Sequence, residues 1–430
     1  MISNYVAIAT LITLVLIFFK VPVFASVFLG SVIYFSLNPN VDIVIAAQRI
    51  TSGMESVSIL ACPFFIFAGV LFNYCGVTER LVEFCSLVTG RIYGGLAQTN
   101  ILLSTVMGGM SGSSVADAAM EAKILVPAMN KSGMSNGFSS VITAFSSLIT
   151  PLIPPGIGMI LYGTMAGVSI GKLFTWGLIL GICTCASMMW FTKIISKKRG
   201  YVPLRNTKLA PGRLKASIKR SFPSLALPVI IIGSIRVGIA TPSEAGAIAV
   251  AYAIVLGVAY RELNWKKFCQ ATREAGVTIG MVLIIVGTSS MYSWILTKEQ
   301  VPQAISAIML SVISNKYLFL LVINLMLLVV GMFMEGCAAT IILAPLLAPI
   351  AASYGIDAIH FGMVFTLNLA VGCITPPMGT VMFATCGVTG CSLKEFLSEG
   401  KPYFAYMAAL LLILTYVPFV LPGLYCPEMN

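Results

Sequence analysis

The chain has 430 residues, of which 58% are hydrophobic and only 10% are charged, and its formal net charge is +11. Soluble globular proteins carry about 25% charged residues, so this composition excludes a soluble protein and predicts a polytopic membrane protein. The positive charge does not indicate nucleic-acid binding, because ten of the 26 basic residues lie between Lys193 and Arg220. A short basic loop between membrane spans is typical of the cytoplasmic side.

Apolar stretches long enough to cross a membrane follow one another along the chain. A spanning helix needs about 20 apolar residues, which predicts spans at 4–19, 23–37, 57–75, 135–168, 173–192, 222–240, 243–260, 276–296, 358–386 and 403–421. The first run has no basic segment before it and no small-residue cleavage site after it, so we expect it to remain in the membrane. The cysteines are scattered over these spans without metal-ligand spacing, which predicts simple packing.

Two further apolar stretches, 95–129 and 317–353, are interrupted in the middle. Each arm is too short to span comfortably, which predicts two re-entrant helical hairpins. The segments before them, 78–93 and 298–314, mix apolar residues at roughly helical spacing with charged residues. They are predicted either to lie along the membrane surface as arms that hold each hairpin or to be ordinary amphipathic connectors.

The order of interruptions occurs twice. A helix that begins at a proline, a break in a hairpin and a break at a proline pair follow one another at Pro22, Ser111 and Pro154, and again at Pro242, Glu335 and Pro376. The intervals are 89 and 43 residues in the first half and 93 and 41 in the second. Broken helices at matching positions of two halves are the sequence mark of a secondary transporter. The predicted organisation is a first repeat over 1–196, a basic cytoplasmic linker over 197–220 and a second repeat over 221–430.

The distribution of basic residues predicts the topology. When the linker is placed inside and both hairpins return to the side from which they start, 21 basic residues lie inside and five lie outside, namely Arg49, Lys172, Arg236, Lys298 and Lys316. This bias follows the positive-inside rule. It puts both chain termini outside. The first hairpin then starts from the cytoplasm and the second from the outer side, so the repeats are predicted to be inverted.

The first hairpin tip and the first proline break predict a sodium site. Glycine lets the chain leave helical geometry, and proline blocks the hydrogen bond to the carbonyl four residues earlier. Freed carbonyls together with hydroxyls form an oxygen-rich site of low charge, which suits a monovalent cation, whereas a divalent ion would favour carboxylates. The predicted members are Ser111, Gly112, Ser113, Ser114, Thr150, Pro154 and Gly156.

A second sodium site is predicted by symmetry at the second tip and break. Its predicted members are Gly336, Cys337, Thr340, Gly372, Thr375, Met378 and Gly379. The alternative for any single glycine or proline break is a helix kink. The matched spacing of four breaks favours the two sites.

Polar residues at membrane depth are candidates for function because they are costly there. The acidic candidates are Asp117, Glu121, Glu244 and Glu335. Glu244 is predicted mainly to cap a helix with Thr241, and His360 to be an interfacial residue without a chemical role. The predicted substrate ligands are Ser113, Ser114, Asp117, Thr340 and Asn368. For Asp117, stabilisation of the start of its helix is an equal alternative, and it stays open.

Six segments resemble the large membrane subunit of tripartite ATP-independent periplasmic (TRAP) transporters. They are residues 63–69, 111–118, 152–155, 238–245, 360–362 and 374–377. The resemblance implies an elevator-type ion transporter fold in the bacterial inner membrane, in which a transport domain carries sodium and an organic acid past a scaffold. It also implies two partners, a small four-helix membrane subunit and a periplasmic substrate-binding protein. Sialic acid is the favoured substrate and a C4-dicarboxylate the alternative.

Two other functions are weighed against this one. A free-standing sodium- or proton-coupled carboxylate carrier would share the fold and need no partner. An intramembrane enzyme would need a metal cluster or a nucleophile paired with histidine, and the sequence, with its single histidine, shows neither. We therefore expect no enzymatic activity, no cofactor other than sodium as coupling ion, and no partner beyond the two subunits and membrane lipid.

Overall fold

The structure is a computed structural model that describes residues 4–19, 21–205, 212–313 and 315–420, and the regular secondary structure in these ranges is helical. The first half contains α1 (Asn4–Phe18), α2 (Val23–Leu37), α3 (Val44–Met54), α4 (Ala61–Tyr74), α5 (Val77–Thr89), α6 (Gly95–Ser111), α7 (Ser114–Lys131), α8 (Asn136–Ser146), a 3-10 turn (Thr150–Leu152), α9 (Ile157–Ala166) and α10 (Ile170–Lys198). The second half contains α11 (Arg213–Arg236), α12 (Pro242–Ala259), α13 (Trp265–Lys298), α14 (Val301–Val312), α15 (Lys316–Phe333), α16 (Gly336–Ser353), α17 (Ala358–Gly372), α18 (Thr380–Thr389) and α19 (Leu393–Val420).

The predicted fold class is confirmed. Both hairpins form, as α6–α7 and α15–α16, and both proline breaks divide a helix, as α8–α9 and α17–α18. Within the described residues, seven helices are individually long and apolar enough to cross a membrane. Helices α8 and α9 form a bent pair with an angle of 42°. The residue boundaries of the two repeats remain a prediction.

The early helices of the two halves pack against each other. Helix α2 contacts α13 of the other half, and α4 contacts α12 in the same way. The long helix α13 also lies against α3 and α4, so it joins both halves. This reciprocal arrangement is what two related halves produce when they share one interface, and it builds a single body that we call the early-helix body (α1–α4 and α11–α13).

The hairpins pack reciprocally as well. The second arm of the first hairpin, α7, lies against α18, and the second arm of the second hairpin, α16, lies against α9. Each hairpin therefore covers the outgoing half of the other repeat's broken helix. The first arms also pack within their own half, since α6 contacts α8 and α15 contacts α17, while α6 in addition contacts α11 of the second half. We call these elements, with α10 and α19, the hairpin body.

Helix α5 turns by 76° from α4, as expected for an arm that leaves a membrane span and runs along the surface. Its counterpart α14 occupies the predicted segment before the second hairpin. Both segments are thus helical, as the sequence predicts.

Several boundaries differ from the prediction, among them the start of α19, which lies at Leu393 rather than near 403. The sequence does not predict helix α3, since its residues are too polar to register as a span. Helix α13 begins at Trp265 rather than near 276, and α11 begins at Arg213 rather than near 222, because the helices continue through basic residues beyond their apolar parts. Hydropathy locates the apolar part of a helix and not its end. The basic residues Lys20 and Lys208 and both ends of the chain, 1–3 and 421–430, lie outside the described residues.

Candidate functional site

The first hairpin tip is a short turn between two helices. Helix α6 ends at Ser111, Gly112 takes the left-handed conformation with φ of +63°, and Ser113 caps α7 by accepting a hydrogen bond from the backbone N–H of Ala116. A Cβ atom on Gly112 would lie 2.8 Å from the carbonyl oxygen of Pro155. The tip therefore requires glycine for two reasons, its backbone conformation and its contact with the proline break.

The first proline break exposes a run of carbonyl groups. After α8 the chain forms the turn Thr150–Leu152, passes through Pro154 and Pro155, and restarts as α9 behind Gly156. Among the described residues, no backbone N–H donates to the carbonyls of residues 151–155. Unpaired carbonyls at membrane depth are tolerated only where a cavity or an ion satisfies them. The residues predicted for the first sodium site thus lie at one junction of tip and break.

Asp117 joins the two parts of this junction. Its side chain is 1% exposed, and its Oδ2 accepts a hydrogen bond of 2.8 Å from the Thr150 hydroxyl. Asp117 therefore ties the start of α7 to the break, a role that sequence reasoning did not assign to it. Its predicted contact with substrate remains a prediction, as does that of Ser114.

The second tip is built differently. Glu335 caps α16, and its Oε2 accepts hydrogen bonds from the backbone N–H groups of Cys337 (2.9 Å) and Ala338 (3.2 Å). The hydroxyl of Thr340 donates to the carbonyl of Gly336 at 2.7 Å. A carboxylate at the positive end of a helix is stabilised by these N–H groups, which gives Glu335 a structural role.

The second break repeats the carbonyl pattern of the first. Among the described residues, no backbone N–H donates to the carbonyls of residues 374–378. The backbone N–H of Val381 donates to the Cys373 carbonyl at 3.0 Å, which ties the start of α18 back to the end of α17 at this break. Helices α15 and α17 approach closely at Gly331 and Gly372, where a Cβ on Gly372 would lie 2.6 Å from the Gly331 Cα. The predicted members Thr375, Met378 and Gly379 belong to the same turn.

The side chain of Asn368 belongs to a buried hydrogen-bond network and, among the described residues, is not bonded to the side chain of a hairpin-tip residue. Its Nδ2 donates to Asn324 Oδ1 at 2.6 Å and to the Val364 carbonyl at 2.8 Å, and Asn324 in turn donates to the Thr415 hydroxyl at 3.0 Å. No contact supports its predicted role as a substrate ligand, which stays a prediction.

The first half contains a matching bond that sequence reasoning missed. Ser146 at the end of α8 donates to Asn100 on α6 at 3.3 Å. Asn324 follows Asn100 by 224 residues, the same offset as from Ser111 to Glu335, and Asn368 follows Ser146 by 222, the offset from Pro154 to Pro376. Each first hairpin arm is therefore bonded to the helix before the break by residues at equivalent positions. This offset was the signal that could have identified them.

The structure places three other candidate residues. The capping box of Thr241 and Glu244 is confirmed, with Glu244 Oε2 accepting the Thr241 backbone N–H at 2.7 Å. His360 lies at the start of α17, where its side chain is fully buried and its Nε2 lies 3.2 Å from the Thr415 carbonyl oxygen, and its interfacial depth stays a prediction. Glu121 is also fully buried and accepts a hydrogen bond from Ser104 at 2.5 Å, while its Oε1 has no hydrogen-bond partner within the described residues.

Paired hairpins and paired broken helices, meeting at two clusters of unpaired carbonyls, define the class of secondary membrane transporters. Residues 10–420 match the family model described as the DctM component of tripartite ATP-independent periplasmic transporters. The chain therefore belongs to this family, as a large membrane subunit of a TRAP transporter.

Individual relatives agree with this membership. The chain is 37% identical over 374 residues to the sialic acid TRAP transporter large permease protein SiaM of Vibrio cholerae, a match that covers 87% of each chain. It is 34% identical over 375 residues, again 87% of each chain, to the C4-dicarboxylate TRAP transporter large permease protein DctM of Pseudomonas aeruginosa. The solved structure of the YdaH transporter of Alcanivorax borkumensis matches with a TM-score of 0.62 over 98% of this chain and 100% of that one, at 12% identity, which shows a shared fold.

Proposed function

We propose that the chain is the permease subunit of a sodium-coupled importer of an organic acid. The observation that carries this proposal is the pair of unpaired carbonyl runs, 151–155 and 374–378, each beside a hairpin tip. Neutral carbonyl and hydroxyl oxygens at two equivalent junctions suit two monovalent cations. The first site would use the junction of Ser111, Thr150 and Asp117, and the second the turn around Thr375.

The substrate class is a carboxylate. Relatives are named for sialic acid and for C4-dicarboxylates, both of which carry at least one carboxylate group. The first hairpin tip presents the N-terminus of α7, and a helix N-terminus favours anions. Sialic acid remains our favoured substrate, with a C4-dicarboxylate next.

The transport cycle would be an elevator in the inner membrane. In this cycle the hairpin body slides against the early-helix body and carries ions and substrate together. Both chain ends would face the periplasm. A small membrane subunit would support the early-helix body laterally, and a periplasmic binding protein would deliver the acid.

Proton coupling is the second candidate, favoured by one observation. Glu121 and Asp117 lie one turn apart on α7, both are buried, and neither forms an ion pair within the described residues. Buried carboxyl groups in membrane segments often carry protons in pumps and transporters.

Uptake in proteoliposomes distinguishes the two couplings. The complete three-component system is given either a sodium gradient at constant pH or a pH gradient with potassium replacing sodium. Sodium coupling predicts accumulation in the first condition only, and Glu121→Gln, which keeps an acceptor for Ser104 but no exchangeable carboxyl proton, should leave it intact. Accumulation driven by the pH gradient alone, and lost in Glu121→Gln, would establish the second candidate instead.

A further inference from the structure

An open cavity of about 1010 Å³ lies apart from both hairpin tips. It is bordered by the α9–α10 turn, the α11–α12 turn and the segment that precedes α4. In the predicted topology all of these face the periplasm. The cavity, which we call the outer cavity, thus lies between the hairpin body and the early-helix body, on the side from which a substrate would arrive.

The lining of this outer cavity carries charge of one sign. Lys172 and Arg236 contribute to it, and none of its lining residues is acidic within the described part of the chain. A second cavity of about 710 Å³, lined by Glu79, Glu83 and Glu262 as well as Arg80, Lys219 and Arg220, is balanced in charge. A cleft lined by charges of one sign concentrates ions of the opposite sign. The outer cavity is therefore suited to anions.

The other three basic residues of the predicted outer face lie over aromatic rings. Arg49 and Lys298 lie over the Trp294 ring at 5.5 and 5.2 Å from its centroid, and Lys316 lies over Tyr317 at 5.5 Å. Such cation–π contacts are common anchors near a membrane interface. Among the basic residues predicted on the outer face, Lys172 and Arg236 line the cavity. Within the described residues, no carboxylate forms an ion pair with Arg236.

Glu55, which adjoins Ser56, is exposed and is not one of the lining residues, and two other acids close to the cavity in sequence are engaged elsewhere. Glu244 closes the capping box of α12, and Asp357 accepts the backbone N–H groups of Ile359 and His360. Hydrogen-bond donors are also present in the lining, since it includes the half-buried Ser56 and the exposed Ser58. A carboxylate in this cavity would meet a guanidinium group and two hydroxyl groups.

We propose that the outer cavity is a receiving site for the carboxylate of the incoming organic acid, with Arg236 as its charged partner and Ser56 and Ser58 as hydrogen-bond donors. The acid would be held here after delivery and before it reaches the hairpin tips. This inference rests on the proposed function for the identity of the anion. The charge selectivity of the cavity is a property that can be measured without transport.

Chemical labelling tests the selectivity directly on the full chain in lipid nanodiscs. Ser58→Cys is treated with anionic and cationic methanethiosulfonate reagents of similar size, and Val44→Cys on α3 serves as the control position, with the parent chain measuring the background of native cysteines. We expect the ratio of anionic to cationic rates to be about three- to tenfold higher at Ser58→Cys than at Val44→Cys. Adding Arg236→Gln should abolish most of this preference. Equal ratios at the two positions would overturn the receiving site.

Uptake by the complete system gives the functional measurement. Arg236→Gln should raise the KM for the organic acid about fivefold while the sodium dependence stays unchanged, and the matched variant Arg49→Gln should resemble wild type. A rise in the KM for the binding protein, with an unchanged labelling ratio, would instead identify a docking surface and overturn the receiving site. Failure of the wild-type system to take up any carboxylate would contradict the proposed function, while the labelling ratio would still decide the nature of the cavity.

Discussion

At the residue scale, the Thr150 hydroxyl is the most informative group to replace, because it connects the break to Asp117 at 2.8 Å. Substitution by valine removes a donor to a carboxyl group, and hydrogen bonds to charged groups contribute about 1.5–3 kcal/mol. We expect Thr150→Val to raise the sodium concentration for half-maximal uptake by roughly tenfold or more. Sodium titration of uptake measures this.

The control is a threonine whose hydroxyl, within the described part of the chain, bonds only to its own helix. Thr105 on α6 donates to the Ile101 carbonyl, so Thr105→Val loses a hydroxyl without touching the junction. Its sodium dependence should match wild type. If Thr150→Val and Thr105→Val raised the sodium concentration for half-maximal uptake equally, Thr150 would act through general packing.

Gly112 supports a second residue-scale prediction. Alanine here would need φ of +63° and would place its Cβ against the Pro155 carbonyl oxygen, so the tip should be displaced. We expect Gly112→Ala to lose most uptake while the thermal midpoint of the chain falls only slightly. Uptake and a thermal melt of the same preparation measure the two effects.

Gly133 offers the matched control for this substitution. It has φ of +91°, and no atom of the described chain lies within 4 Å of the place that a Cβ would take, so alanine costs backbone strain alone, on the order of 1 kcal/mol. Gly133→Ala should transport. A loss of uptake in both variants would show that left-handed strain, and not the contact with Pro155, is what matters.

At the scale of elements, the bond between each first hairpin arm and the helix before the break is reciprocal in the two halves. In the second half it consists of Asn324 and Asn368, at 2.6 Å. Leaving a buried polar group unpaired costs about 1–3 kcal/mol. We expect Asn324→Leu to lower the thermal midpoint, and the double variant with Asn368→Leu to be less destabilised than the sum of the two single variants.

Thr366→Val on the same helix as Asn368 is the comparison, because within the described residues its hydroxyl bonds only to the Gly362 carbonyl. The change in thermal midpoint caused by Thr366→Val should add to the change caused by Asn324→Leu. Strict additivity of the Asn324 and Asn368 variants would contradict a direct coupling between the two side chains.

The elements that can be predicted from the sequence are those with a local cause. Hairpin tips and breaks are located by Gly112, Pro154 and Pro376, which interrupt helices whatever surrounds them. Helix α3 and the charged start of α13 escape prediction because hydropathy does not mark a helix that leaves the apolar layer. The burial of His360 arises from packing between α17 and α19, which one sequence does not reveal. The bond between Asn324 and Asn368 also depends on packing, although the offsets of these residues from Asn100 and Ser146 mark their positions in the sequence.

At the scale of the whole molecule, the contact between the two bodies can be trapped. A Cβ on Gly109 of the first hairpin would lie 3.1 Å from the Cβ of Pro228 on α11, close to the distance that a disulfide needs. If the bodies slide, Gly109→Cys with Pro228→Cys should lose uptake on oxidation and regain it on reduction.

A crosslink within the hairpin body is the control. The side chains of Ser140 and Thr389 are joined at 2.9 Å, so cysteines there would connect two parts that move together. Oxidised Ser140→Cys with Thr389→Cys should still transport. Full uptake by the crosslinked Gly109 and Pro228 variant would rule out the elevator.

The assembly gives the last prediction. We expect the chain reconstituted alone to insert but to accumulate substrate at a small fraction of the rate of the three-component system. Comparing uptake with each component omitted in turn measures this. An equal rate for the chain alone would support a free-standing carrier.

The reciprocal packing of the hairpins also bears on biosynthesis. Helix α7 covers α18, which is translated more than 200 residues later. In the same way, α9 packs against α16, which is translated well after it. The first half must therefore reside in the membrane with these faces uncovered until the second half arrives, a period in which membrane insertases or quality-control proteases could engage it. Two halves separated within 197–220 and expressed together should find each other in the bilayer, whereas either half expressed by itself should be degraded.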